Sequence, residues 1–484
     1  MEKTNDTQRI HVDSEVGRLR RVIIHSPDKG LGKIIPTKAQ DWLFEDIVHL
    51  ETMRKKEYDY YVKTLLYFLD PGKIKGKLQE IDDPKNNRAF YKPSHPDYFN
   101  SDKVVDPEFL LSQILDSKEI KDRLVAAVCA HERVSYAIQT QLHALPPSDL
   151  AITLITGILP DGKMIFGPVP NFIFTRDIGI TINKHIMLTR PAKQARTREG
   201  ILTKFILFNH PHFAEYRNNI IEITDLDEFF LLDDEEKPFK AVTVEGGDVM
   251  TVAPNHLLIG CSERTTIHAI NQVIHELFER NVVDKVTMVK IPKRRAYMHI
   301  DTTFTQVKKN MWVIFGPFSR YGKEMDRREL LEGLGHPPET IKLELVQFEK
   351  GKEGNPRKFE SLEDLLDDIS QKDLKSTEPT EFIWSGGGEF PYGQREQWTD
   401  SCNVLAVKEG VVIGYDRNDK TAEAFQEKGF DIIRAEDLIQ KFENDEIQPE
   451  EVENTLILLP SGELSRARGG SHCISMPILR DRIL

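Results

Sequence analysis

The chain has 484 residues, 39% of them hydrophobic and 30% charged, and its 65 basic and 78 acidic side chains leave a formal charge of −13. This composition supplies a large core and excludes wholesale disorder, and the negative balance argues against non-specific binding to nucleic acid or anionic membrane while mildly favouring cationic ligands. The four cysteines, Cys129, Cys261, Cys402 and Cys473, are too sparse for a disulfide scaffold and lack the paired spacing of a zinc site.

The N-terminal stretch has no apolar signal region, and no apolar run approaches the roughly 20 residues that span a bilayer, so a cytoplasmic protein is expected. From Leu19 to His25 an apolar run reads as a strand, a divergent copy of a unit seen more clearly further on. Residues 70–108 are rich in Pro, Asn, Asp and Lys and read as a surface excursion. Residues 109–142 carry apolar residues at helical spacing without Gly or Pro, the pattern of a helical insertion in which Cys129 is a core thiol. Four strand pairs follow, each opening on Asp or Asn: 177–188, 248–260, 301–315 and 403–414. Between them 265–279 and 420–428 have helical periodicity, so the repeating unit is a strand pair plus a helix. Residues 338–380 are charged, hold a helix near 362–369, and read as a peripheral or mobile insertion. If the units close around an axis, their opening polar residues meet at the centre.

Four short strings concentrate catalytic residue types: 171–177 (NFIFTRD), 245–248 (EGGD), 299–301 (HID) and the turn Gly469-Gly470-Ser471-His472-Cys473. Together they supply a thiol, a base and several carboxylates, the set needed for nucleophilic attack on a planar cationic carbon. The paired glycines before Cys473 suggest positive φ or close approach of a ligand to the main chain.

These strings, with SERT at 262–265, REQW at 395–398, GYDRN at 414–418 and RGGSHC at 468–473, resemble the arginine deiminases of the guanidino-group-modifying superfamily. The resemblance implies an α/β fold, a pseudo-fivefold α/β propeller of strand-and-helix modules around a central site, with a helical insertion and one catalytic domain over residues 1–484. It also implies hydrolysis of L-arginine to L-citrulline and ammonia through a covalent cysteine thiouronium. By that resemblance Cys473 is the nucleophile, Asp177 and Asp301 hold the guanidinium, His299 is general acid and base, and Glu245 orients it. Asn171, Arg196 and Arg264 match positions that bind the amino-acid end; Asp248 and Arg468 complete the substrate set. An arginine pair suits an α-carboxylate, so L-arginine is favoured over agmatine. No metal or cofactor is required by this chemistry. The expected partner is small-molecule L-arginine, with no nucleic acid or membrane, and a homo-oligomer is left open. Two alternatives stand beside this reading: an amidinotransferase, in which an amine resolves the intermediate, and a non-catalytic arginine-binding protein on the same scaffold.

Overall fold

The computed structural model describes residues 10–83, 90–225, 228–320, 341 and 343–484. The four predicted strand pairs are all present as antiparallel hairpins: Gly179–Ile182 with His185–Leu188, Val249–Ala253 with His256–Cys261, Phe304–Lys308 with Met311–Ile314, and Leu405–Lys408 with Val411–Tyr415. Each turns through two residues, and in the first and fourth Asn183 and Gly410 take the positive φ that suits a tight hairpin turn.

The second strand of each hairpin pairs in parallel with a third: Ile220–Glu222, Lys285–Lys290, Glu381–Trp384 and Thr455–Leu459 respectively. A parallel neighbour needs a crossover, usually a helix. The crossovers hold Thr197–Asn209, Ile267–Glu279, Leu362–Asp368 and Asp419–Glu427. Ile267–Glu279 shows why: Ala269, Ile270, Val273, Ile274, Leu277 and Phe278 bury one face, and Thr266 caps the start.

A fifth sheet repeats the plan with its strands drawn from both ends of the chain. Met476–Arg480 runs antiparallel to Leu19–Ile23, which runs parallel to Val104–Val105, with Asp59–Leu69 in the crossover. The divergent copy expected at 19–25 is therefore the second strand of this unit, and its hairpin partner lies just after Cys473.

The helical stretch expected at 109–142 spans Pro107–Ile114, Lys118–Glu132, Tyr136–Ala144 and Pro147–Thr156. It packs on Thr197–Asn209, with Cys129 buried. In the charged region 338–380, residues 338–340 and 342 lie outside the described residues. The rest is built into the fold. Glu344–Glu349 and Arg357–Phe359 extend the second sheet, and Leu362, Leu365, Leu366 and Ile369 are fully buried, because a charged surface conceals an apolar stripe at helical spacing. No helix among the described residues is long and apolar enough to cross a membrane.

At the start of each unit's first strand stands one polar side chain: Asp177, Asp248, Asp301, Asn403 and Cys473. Five hydrogen bonds join these positions in a closed ring. Gly247 N–H donates to Asp177 Oδ1 (3.1 Å) and Ile300 N–H to Asp248 Oδ1 (3.1 Å). Asn403 Nδ2 donates to the Asp301 carbonyl (3.1 Å), and Cys473 N–H to Asn403 Oδ1 (2.9 Å). Arg176 N–H, donating to the Cys473 carbonyl (3.0 Å), returns to the first unit.

Candidate active site

Cys473 follows the short turn Ser465–Ala467 and the left-handed Arg468 (φ 63°). Neither Gly469 nor Gly470 has positive φ, so the expectation drawn from the paired glycines needs correction: close approach is what they permit, and protein fills the space. A Cβ on Gly469 would lie 2.3 Å from the Phe174 ring, and one on Gly470 would lie 2.4 Å from the Asn403 carbonyl.

The Cys473 thiol donates to Asp301 Oδ2 at 3.5 Å. The same oxygen receives His472 Nδ1 at 2.9 Å, and His472 Nε2 is 3.1 Å from Glu15 Oε2. Asp301 Oδ1 is buried with no partner among the described residues. Burial first, and then Asp301, Asp177 and Asp400, push the Cys473 thiol well above its usual range. Asp301 itself is held down: burial opposes ionisation, but His472, His299 and Arg176 outweigh it.

His299 Nε2 is 2.9 Å from Glu245 Oε2, and Nδ1 is 4.0 Å from Asp177 Oδ1. Burial alone would discharge this imidazole, yet Asp177, Glu245 and Asp248 raise its pKa to about 10. Glu245 responds oppositely. Against its own burial, His299, Arg196 and Arg264 bring it to about 2. The ring lies against Gly247, where a Cβ would fall 2.5 Å from Nδ1.

A cavity of about 220 Å3 is lined by Cys473, His299, Glu245, Asp177, Asn171, Arg196, Arg264 and Arg468. Of the residues predicted from sequence, Asp248 and Asp301 stand back from its wall. Asp248 accepts from Ser262 Oγ at 2.6 Å as well as from Ile300, and burial raises its carboxyl to about 7 although His299 and these donors oppose it. Arg196 contacts Asp177 (2.8 Å), Glu245 (3.4 Å) and Glu199 (3.0 Å), so one of the protein's own guanidinium groups lies on a carboxylate expected to hold substrate. Asn171 spends its amide on the carbonyls of Trp42 and Leu43. Arg264 reaches toward Glu245 (3.8 Å) and Met298. Arg468 stacks 3.4 Å over the Trp398 ring centroid, leaving Nε and Nη1 without partners among the described residues.

Asp177, Glu245 and His299 also bring one ligand atom each within 4.8 Å of the others, a spacing that could hold a metal ion. Arg196 and the charged His299 already compensate these carboxylates, so a divalent ion would have to displace Arg196 and strip the proton from His299. Sequence reasoning did not single out Glu15, His472 and Asp400 for this site. His472 was visible beside Cys473, but its pairing with residues from two other parts of the chain has no local signal.

The description of a known protein family, arginine deiminase, matches residues 153–480. The chain belongs to the arginine deiminase family. The matched span contains Asp177, Glu245, His299, Asp301 and Cys473, and leaves Glu15 outside it. Arginine deiminase of Treponema denticola is 27% identical over 493 residues, covering 98% of this chain and 99% of that one. Arginine deiminase of Bacillus cytotoxicus is 29% identical over 485 residues, with coverage of 98% and 99%. Among solved structures, an amidinotransferase of saxitoxin biosynthesis from Microseira wollei aligns over 98% of both chains at 12% identity and a TM-score of 0.48, a likeness too slight to argue from.

Proposed function

We propose that this chain hydrolyses L-arginine to L-citrulline and ammonia, with Cys473 as nucleophile. The observation that carries this reading is the meeting of a thiol, a charged histidine and its glutamate partner, and Asp177 on one small cavity. Family membership and the full-length relatives support it. A guanidinium is a planar fork of donors, and Asp177 offers matching carboxylate oxygens once Arg196 moves aside, joined by the unpartnered Oδ1 of Asp301 when that side chain turns forward from behind the wall. Arg196 and Arg264 would then take the α-carboxylate, with Asn171 and Arg468 closing around the amino-acid end. Asp248 supports this arrangement from behind, by holding the amide of Ile300 between His299 and Asp301.

The substrate's charge starts the reaction. A cation about 4 Å from the sulfur contributes on the order of 4 kcal/mol at an effective dielectric of 20, about three pKa units, against the carboxylates that hold the proton on Cys473. As the cation binds, the thiol proton is released to solvent; the thiolate attacks the guanidinium carbon, and the C–N bond breaks as His299 gives its proton to the departing nitrogen, releasing ammonia. The thiouronium remains on sulfur. Neutral His299 takes a proton from water, the hydroxide adds to the same carbon, and breaking of the C–S bond restores the thiolate and frees citrulline; ammonia takes up the remaining proton. Glu245 keeps the imidazole oriented through both transfers.

We also read the five sheets, each a hairpin with a parallel third strand, as the blades of a pseudo-fivefold α/β propeller within one catalytic domain, with 107–156 as its helical addition. The closed ring of hydrogen bonds supports that symmetry. Four free, separated cysteines suit a cytoplasmic enzyme. Purified protein incubated with L-arginine should form citrulline and ammonia in equal amounts, and Cys473→Ala should form neither. A folded wild type that yields no citrulline sinks the proposal, and ornithine formed only with an added amine would make it a transferase.

A further inference from the structure

The fourth unit of the ring differs in kind from the first three. Asp177 and Asp248 each accept an amide proton from the next unit through a carboxylate oxygen. Asn403 instead faces both ways. Its Nδ2 donates to the Asp301 carbonyl at 3.1 Å while its Oδ1 accepts the Cys473 amide proton at 2.9 Å. The residue is 1% exposed, and the backbone around it reinforces the grip: the Asn403 carbonyl accepts from His472 N–H at 3.4 Å, and the neighbouring Ser471 Oγ donates to the Ile413 carbonyl at 2.6 Å and accepts from Leu405 N–H at 3.0 Å. The contact is close enough to dictate a neighbour. At Gly470 a Cβ would sit 2.7 Å from Asn403 Oδ1, so the second glycine of the turn is what lets this amide reach the nucleophile's backbone.

We propose that Asn403 is a positioning residue for catalysis: one rigid amide fixes the backbone of the nucleophile against the backbone of Asp301, and so sets where the thiol stands relative to the carboxylate beside it. Among uncharged side chains of this size, a carboxamide supplies one donor and one acceptor at a fixed separation. An aspartate there, as in the three preceding units, would accept from Cys473 but repel the Asp301 carbonyl, and would add another negative charge near a sulfur that must ionise. A residue that only starts a strand would need neither bond.

The proposal rests on Cys473 being the nucleophile, and its test keeps the two readings apart. The full-length wild type, Asn403→Ala and Asn403→Asp are compared for citrulline formation and thermal unfolding. Because displacement of a reacting group by about 1 Å can cost about 100-fold, Asn403→Ala is expected to lower kcat about 10- to 100-fold with KM within about threefold of wild type. Asn403→Asp, nearly isosteric and still able to accept from Cys473, is expected to fold and to lose about tenfold in kcat. Either variant, folded and within about twofold of wild-type kcat, overturns the proposal; if Asn403→Ala does not fold, Asn403→Asp decides alone. If the wild type forms no citrulline, the proposed function fails, and the rate at which iodoacetamide alkylates Cys473 judges the positioning role. A change of tenfold or more in Asn403→Asp supports it, and an unchanged rate overturns it.

Discussion

In the proposed cycle His299 first gives a proton to leaving ammonia and then takes one from water, so it must hold its charge until the right moment. Its carboxylate neighbours raise its pKa from 6.5 to about 10, and an arriving guanidinium opposes them. The same shift predicts a pH effect on stability. A group whose pKa is raised by folding contributes fully below its unfolded value and loses that contribution as pH rises through the folded one. Between pH 6.5 and 10 the thermal midpoint of wild type should therefore fall more steeply than that of His299→Gln; parallel curves would refute the charged histidine. Gly247 offers a second check, since Gly247→Ala would drive a methyl to 2.5 Å from His299 Nδ1 and 3.0 Å from Asp301 Oδ1. The expected result is a folded protein with overpacking strain of about 1–3 kcal/mol and a kcat lowered about 100-fold, read from the citrulline assay and a melting curve. Residue types were legible at this scale because Cys473, His299 and Glu245 sit in short strings rich in chemistry. Whether an acid faces a cavity or stands behind it was not, because Asp177 and Asp248 look alike in sequence and differ only in tertiary partners.

At the scale of elements, period-two alternation ending in tight turns made four hairpins visible, while of the fifth unit only the strand at 19–25 was, because its partner comes from the opposite end of the chain. The helical stretch was visible too, but its anchor was not. Asp106 caps Pro107–Ile114 through Glu108 N–H (2.8 Å), accepts from Ser26 N–H (2.9 Å), and meets His25 Nδ1 at 2.9 Å. Burial works against the His25 charge, but Asp106 and Asp28 raise its pKa to about 10, so the joint between the helices and the first strand is ionic. Asp106→Ala should leave that charge buried and short of a partner, costing about 3–5 kcal/mol by denaturant unfolding, with citrulline formation per folded molecule within about twofold of wild type. A loss below about 1 kcal/mol would show the joint to be dispensable.

Across the whole molecule, unit after unit of hairpin, helix and third strand can be followed in the chain, yet closure could not be read from it, because a ring is decided by bonds such as Arg176 N–H to the Cys473 carbonyl that join distant segments. A row of repeats has ends from which to fray, and its units can open one at a time. A closed circuit has none. Amides of the ring, those of Arg176, Gly247, Ile300 and Cys473, should then exchange with deuterated solvent at one common slow rate set by global unfolding, while surface hairpin turns exchange through local opening. The catalytic centre would be the last part of the protein to come apart rather than the first, leaving the motion that catalysis requires to side chains such as Arg196.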